Sequence, residues 1–340
     1  MNLGLTAMSK NKERDLKTIA DIIRGEHFDV VALQEVLSEG KAFWLNNKEH
    51  IKKSIIMELG GSSTWGFEWA HAGGNDPRQE GYAFIWNKRR IELSKTEVTT
   101  PFKKERVFKP RMLELNRKDL SRQPYYGRFT AKATNVEFRL ICVHTYFGND
   151  DRKARSFRQS ELNALLEEIY PQIADKRYGN PNVSYTILLG DYNAELLVLE
   201  TMPWLMSSDR GFAKQPAIMN TDLNGVVESK KYKGRKIKTV QYEPTTLKKK
   251  VNDNNVDEFA GSGFACSYDH FSFEEEKFNN ALIRVKRIRK AVTHYCKIQN
   301  GDYDTNFEKY YKTVSDHIPI AMDIEINTRD VPRTFWQDNK

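Results

Sequence analysis

The chain has 340 residues, of which 39% are hydrophobic, 11% aromatic and 29% charged. This is a globular composition, long enough to bury a sizeable core, and it excludes a fibrous or disordered chain. The net charge of +8 suits a polyanionic partner such as nucleic acid or an anionic membrane surface, or else a solvated lysine-rich face. No window reaches the length of a transmembrane helix, and "MNLGLTAMSKNKERD" lacks the apolar stretch of a signal peptide. A soluble, cytoplasmic protein is expected, or a secreted one if residues precede Met1. Cys142, Cys266 and Cys296 form neither a CxxC nor a zinc spacing, so free thiols in a reducing compartment are expected.

In chain order, "ERDLKTIADIIRG" places Leu16, Ile19, Ile22 and Ile23 at helical spacing, with Gly25 as a stop. "FDVVALQEV" then reads as a strand buried on both faces, ending at Gln34-Glu35. Residues 41–59 have helical character. "WGFEWAHAG" and "GYAFIWNK" are strands joined by the polar "GGNDPRQE". "GRFTAKATNVEFRLICVHTYF" holds two strands turning at Thr134-Asn135, and residues 153–175 form a long amphipathic helix. "SYTILLGDYNAE" is a buried strand ending in Gly-Asp. "RVKRIRK" alternates as a strand with one charged face does, and "AVTHYCKI" and "IPIAMDIEI" are closing strands. The most basic stretches are "SKKYKGRKIK", residues 229–238, and "KKK", residues 248–250; they read as a loop or insertion.

Strands arrive in adjacent pairs with helices between them, and no repeat or low-complexity linker interrupts them. The expected fold is α/β, with two mixed sheets packed face to face and helices outside. It spans one domain, residues 1–326, with a basic insertion at about 225–255 and a tail at 327–340.

Polar residues stand where apolar strands stop: Glu35, His144, Asp191, Asn193, Asp316 and His317. Each alone is ordinary, since a carboxylate after a strand caps a turn and a lone His is often structural. Their convergence at one rim of a sheet would make a site for a hard, oxygen-ligated cation such as Mg²⁺. In "SYDHF", Asp269 and His270 fall on opposite faces of any strand, so one of them is structural.

The succession "LQEV", "EGYAFIWN", "SRQPYY", "VHTYF", "GDYNAE", "SYDHF", "SDHIPI" resembles the endonuclease/exonuclease/phosphatase superfamily, most of all its deoxyribonuclease I branch. The resemblance runs from Asn2 to about Ile324. It implies a four-layer α/β sandwich and a Mg²⁺-dependent phosphodiester hydrolase acting on DNA, with Mn²⁺ or Ca²⁺ as alternatives and one or two ions. By the same resemblance, Glu35, Asn2, Asp316 and Asp191 serve the metal, and Asp191 and Asn193 the scissile phosphate. His144 pairs with Glu80, His317 pairs with Asp269, and Arg122 contacts phosphate. One histidine deprotonates the water and the other assists the leaving group; the assignment of His317 to the first role can be exchanged. Abasic-site endonucleases of the superfamily carry tyrosine where His144 stands. Sphingomyelinases and phosphoinositide phosphatases are the alternative within the superfamily. For these, "AELLVLETMPWLM", residues 194–206, would be a membrane loop; otherwise it is a buried amphipathic helix. A non-catalytic nucleic-acid-binding member is a third reading.

Three departures accompany the resemblance. The family has a strand ahead of its metal-site asparagine, and here Asn2 follows Met1 directly, so that strand lies upstream or is supplied by a partner subunit. The branch's minor-groove arginine is replaced by Leu37. The stretch 196–262 is long and basic; it forms either a flap over nucleic acid or a solvated loop.

Overall fold

The computed structural model describes residues 14–36, 52–72, 81–98, 104–115, 117–148, 152–178, 183–194, 225–232, 235–242, 245–247, 266, 268–278, 281–298 and 305–326. Helix α1 (Leu16–Gly25) is started by Asp15, whose Oδ1 accepts the Thr18 N–H at 2.8 Å. Its apolar stripe, Ile19, Ile22 and Ile23, is fully buried, which is worth about 1.5–3 kcal/mol for each side chain. Strand β1 (Val30–Leu33) follows, then a helix α2 over residues 52–58. Strands β2 (Trp65–His71) and β3 (Gly81–Asn87) complete a first sheet in the antiparallel order β1-β3-β2.

Next come β4 (Ile91–Leu93), β5 (Lys95–Val98), β6 (Lys104–Val107), β7 (Arg111–Met112), β8 (Tyr125–Ala131) and β9 (Val136–His144). The long helix is α3 (Arg152–Ala164), a π-helical turn (Leu165–Ile169) and α4 (Tyr170–Ala174). Then follow β10 (Ser184–Asp191), β11 (Gly225–Tyr232), β12 (Arg235–Tyr242), β13 (Asp269–Glu274) and β14 (Ala281–Arg287). Helix α5 (Asn306–Thr313) and β15 (Ile320–Ile326) come last. The second sheet has the order β11-β12-β13-β10-β9-β8-β4, with β7 beside β8.

Strand alternation sorts the apolar side chains into three layers of core. Val31, Leu33, Phe67 and Ile85 face α1, α2 and α5. Ala32, Phe84 and Trp86, their neighbours in sequence, face Phe129, Leu140, Cys142, Ile187 and Phe271 of the second sheet. Ile141, Val143 and Leu188 point out the other way, onto Leu162, Leu165 and Ile169. A period of two thus produces helix, sheet, sheet and helix stacked in four layers, as the sequence led one to expect.

Two expectations need correction. "AVTHYCKI" is not a strand but a π-helical turn over Ala291–Tyr295. Ala291, Val292 and Cys296 are buried while Thr293 and His294 are exposed, a helical spacing that its β-branched and aromatic residues disguised. The basic stretch 229–238 is not an irregular loop, for it lies on the β11–β12 hairpin at the edge of the large sheet. Gln241 pairs with His270 and Ile237 with Glu274, so the hairpin's tip lies at the end of β13 away from Asp269. The six steps from Gln241 back to Arg235 span about 20 Å, so the tip stands apart from the rim that holds Asp269; residues 196–224 and 248–262 of the stretch expected as a flap or loop lie outside the described residues.

Among the described residues β1 pairs only with β3, and β15 only with β14. Their open edges meet an apolar cavity of about 720 Å³ lined by consecutive residues of both strands, Val30 to Ala32 and Ile320 to Ile326. Consecutive residues point to opposite faces, so the cavity is bounded by strand edges. No helix among the described residues is long and apolar enough to cross a membrane.

Candidate active site

Three neighbouring strand ends bring three chemistry-bearing residues into one row. β9 and β10 run parallel with His144 opposite Asp191, and β10 and β13 run antiparallel with Asp191 opposite Asp269. Register partners project from the same face of a sheet, and neighbouring strands lie about 4.8 Å apart. The crowding is visible at Gly190, where φ is +140° and a Cβ would stand 2.0 Å from the Val143 carbonyl oxygen. Only glycine fits there.

His317 arrives from a separate segment. Residues 245–247 pair with the stretch before β15: Leu247 N–H donates to Asp316 O at 2.7 Å, and Ile318 N–H to Thr245 O at 2.9 Å. That pairing sets His317 Nδ1 2.7 Å from Asp269 Oδ2, which also accepts the Thr245 hydroxyl at 2.6 Å. Thr245 is a site-building residue that no sequence pattern announced.

Asp191 sits between the two imidazoles. Its Oδ2 is 3.7 Å from Nε2 of His317 and 3.7 Å from Nε2 of His144. His144 Nε2 is also 3.6 Å from Glu35 Oε1. Burial pushes the Asp191 carboxyl up, against the pull of His317 and then His144. For His317 burial acts downward, but the charge and hydrogen bond of Asp269, then Asp191 and Asp316, outweigh it and hold the imidazole well above its ordinary range. Burial likewise opposes ionisation of Asp269, and His317 reverses it, so that this carboxyl lies below its usual range.

Backbone strain marks the same rim. Glu35 has φ +53° and Asn193 φ +47°, the left-handed region that costs a non-glycine residue about 1 kcal/mol or more. The Asn193 N–H donates to Asp191 Oδ1 at 2.7 Å, and its side-chain amide donates to Thr145 O at 2.9 Å. Arg122 is buried, and its Nη1 donates to the carbonyls of His144 at 3.3 Å and Thr145 at 3.0 Å. Behind it Glu161 accepts the Ser121 N–H at 2.5 Å and the Tyr146 N–H at 2.7 Å. Burial raises the Glu161 carboxyl, and those two amides moderate the shift. Glu161 lies on α3, in a pattern that sequence reading took for an ordinary amphipathic helix.

Glu35 and Asp316 form the other side of the site. Both charges act on the half-buried Arg14, whose Nη1 donates to the carbonyls of Tyr311 at 3.2 Å and Lys312 at 3.3 Å. Asp316 Oδ1 is buried and has no hydrogen-bond partner among the described residues. A buried carboxylate oxygen without a donor is suited to a cation. No cluster of three or more His, Cys, Asp or Glu side chains among the described residues is arranged to hold a metal. Glu35 and Asp316 would suit an ion that takes one or two carboxylates and completes its shell with water, as Mg²⁺ does. Asn2, Glu80 and Leu37 lie outside the described residues.

His270 takes the opposite face of β13 from Asp269. Its Nε2 donates to Ala194 O at 2.8 Å, and its ring lies 5.0 Å from that of Tyr192. It is structural, as the alternation in "SYDHF" required.

No family model matches the chain. A curated protein named Deoxyribonuclease, from Thioalkalivibrio sp. (strain K90mix), is 25% identical over 223 residues, which cover 60% of this chain and 52% of that protein. The match thus spans about half the length of that relative. Among solved structures, truncated Caenorhabditis elegans TDP2 is 12% identical with a TM-score of 0.46, covering 92% of this chain and 90% of that one. An endonuclease/exonuclease/phosphatase family protein from Bacteroides thetaiotaomicron is 15% identical with a TM-score of 0.44, covering 92% and 89%.

Proposed function

We propose that this protein is a Mg²⁺-dependent phosphodiester hydrolase whose substrate is DNA, in the manner of deoxyribonuclease I. The observation that carries the reading is the row His317–Asp269–Asp191–His144, in which two imidazoles flank one buried carboxylate and one of them is fixed from behind by a second. The net charge of +8 and the name of the curated relative agree with a DNA substrate.

The geometry supports one assignment of roles. Asp269 holds His317 through Nδ1, which leaves Nε2 to take a proton from the attacking water and stabilises the cation that results. His144, whose Nε2 faces Glu35 and Asp191, hands a proton to the departing oxygen. Asn193 spends one amide N–H on Thr145 O and has a second for a phosphoryl oxygen. Arg122 fixes the backbone of His144 and Thr145, and its positive charge would favour a phosphate at this rim. Glu35 and Asp316 would hold the metal, which when bound neutralises charge on the phosphate.

The test is nicking of a supercoiled plasmid with Mg²⁺, with and without EDTA, beside His317→Ala. Nicking by the wild type in Mg²⁺, abolished by EDTA and lowered about 100-fold or more by the substitution, is expected. No nicking, together with cleavage of sphingomyelin or a phosphoinositide, would move the protein to the lipid-directed part of the superfamily.

A further inference from the structure

The loop that leaves the site after His144 is braced at every residue, yet it presents one large ring outward. Thr145 donates its hydroxyl to Tyr192 O at 2.5 Å. Tyr146 gives its N–H to the buried Glu161 and sets its ring edge-on to Phe157, with centroids 5.3 Å apart. The Phe147 carbonyl accepts from Arg158 Nη1 at 2.5 Å. Gly148 turns at φ +50°, where a Cβ would meet the Tyr146 ring at 2.2 Å and Ala154 Cβ at 3.0 Å. The loop is therefore clamped to the start of α3. Phe147 nonetheless remains 47% exposed, one of five large hydrophobic side chains so placed among the described residues.

Exposing an aromatic ring forgoes the burial that stabilises most such side chains. Fixing its backbone through a buried carboxylate and a buried arginine keeps the ring oriented at little further entropic cost on binding. Phe147 stands three positions after His144, so the two lie within about 10 Å of chain, or roughly three stacked-base steps at about 3.4 Å each. The exposed cations Arg152 and Lys153 open the adjoining helix and suit the phosphates of the same strand.

We infer that Phe147 is a stacking platform for a nucleobase a few steps from the scissile phosphate, so that the site prefers a base-bearing, locally unstacked strand. This rests on the nuclease reading above and adds a substrate feature to it: an inositol headgroup has no aromatic face to stack, and a choline would meet the ring only as a cation.

The experiment uses the full chain and two single-stranded oligonucleotides of equal length, one with all its bases and one with stable abasic residues flanking the cleaved bond. Base–aromatic stacking is worth about 1–3 kcal/mol, so Phe147→Ala is expected to lower the preference for the base-bearing strand about 10- to 100-fold, mainly through KM. Phe147→Trp is expected to restore it. An unaltered preference, or an equal loss of activity on both strands with Phe147→Ala, overturns the platform while leaving the nuclease intact. If the wild type cleaves neither strand nor a supercoiled plasmid in Mg²⁺, the nuclease reading and the platform fall together.

Discussion

His317 Nδ1 stands 2.7 Å from Asp269 Oδ2, with both residues buried and 48 positions apart in the chain. At that separation the aspartate selects the ring tautomer and stabilises its protonated form. Replacing Asp269 with Asn keeps the shape and removes the charge. The substitution is expected to lower kcat/KM about 10- to 100-fold and to move the acid limb of its pH profile downward. The limb of the wild type should lie above the ordinary imidazole value of 6.5, since His317 must shed its proton to act as a base. An acid limb that stays in place in the variant would remove Asp269 from that role. The pair also has a stability consequence. The raised His317 stabilises the fold fully below about pH 6.5 and less as pH rises through its folded pKa. The depressed Asp269 contributes fully above about pH 3.8 and less as pH falls through its own. Denaturant midpoints should therefore be highest between those limits, and more so in wild type than in Asp269→Asn.

Gly190→Ala tests the crowding behind that row. The added Cβ would overlap the Val143 carbonyl oxygen, a backbone atom that cannot swing aside, and φ there is +140°. A loss of about 2–4 kcal/mol is expected by urea unfolding, with activity lost in proportion to misplaced His144 and Asp191.

A separate buried network lies at the other end of β8 and β9. Glu137 bridges Arg128, whose Nη2 is 2.5 Å away, and Arg139, whose Nε is 2.7 Å away. The Arg128 guanidinium lies 3.5 Å from the centre of the Tyr178 ring. Glu137→Gln strands two buried guanidinium groups without their shared counter-charge, which should cost about 3–5 kcal/mol in thermal or denaturant unfolding. Turnover per folded molecule should hold, because none of these residues reaches the row of His144, Asp191, Asp269 and His317. A turnover loss matching that of His317→Ala would mean that the network reaches the site.

The three cysteines are free but should differ in reactivity. Burial pushes the Cys142 thiol up to about 12, against a hydrogen bond from Gln34, and the Cys296 thiol up to about 11. Neither carries appreciable thiolate at pH 8, and both are buried. A thiol reagent at that pH should label Cys266 alone in the native protein and all three in urea. Rapid native labelling of Cys142 would contradict the packing around β9.

Much of the fold was legible because strand and helix periods are written into the order of apolar residues. β1 read as a near-continuous apolar run and β10 as a buried strand, while α1 showed its stripe at Leu16, Ile19, Ile22 and Ile23. The same signal failed at "AVTHYCKI", where residue types suited to strands are spaced to bury one side of a helical turn. At the site, the local order of "GDYN" and "SDH" marked Asp191, Asn193 and His317 as strand-end residues. Their motifs carried no trace of Thr245, Glu161 or Arg14, which act through contacts across long stretches of chain.

By itself the sequence determined the faces. Asp269 and His270 had to part company on β13, and Ile141 and Cys142 had to bury themselves in different layers, because the strand period is two whatever the surroundings. Only the tertiary structure decided the neighbours. Register between β9, β10 and β13 put His144, Asp191 and Asp269 in one row, and register between β12 and β13 turned the basic hairpin tip away from them. Sequence periodicity encodes the direction in which a side chain points. Pairing between distant strands, set by close approaches such as that at Gly190, decides what it meets.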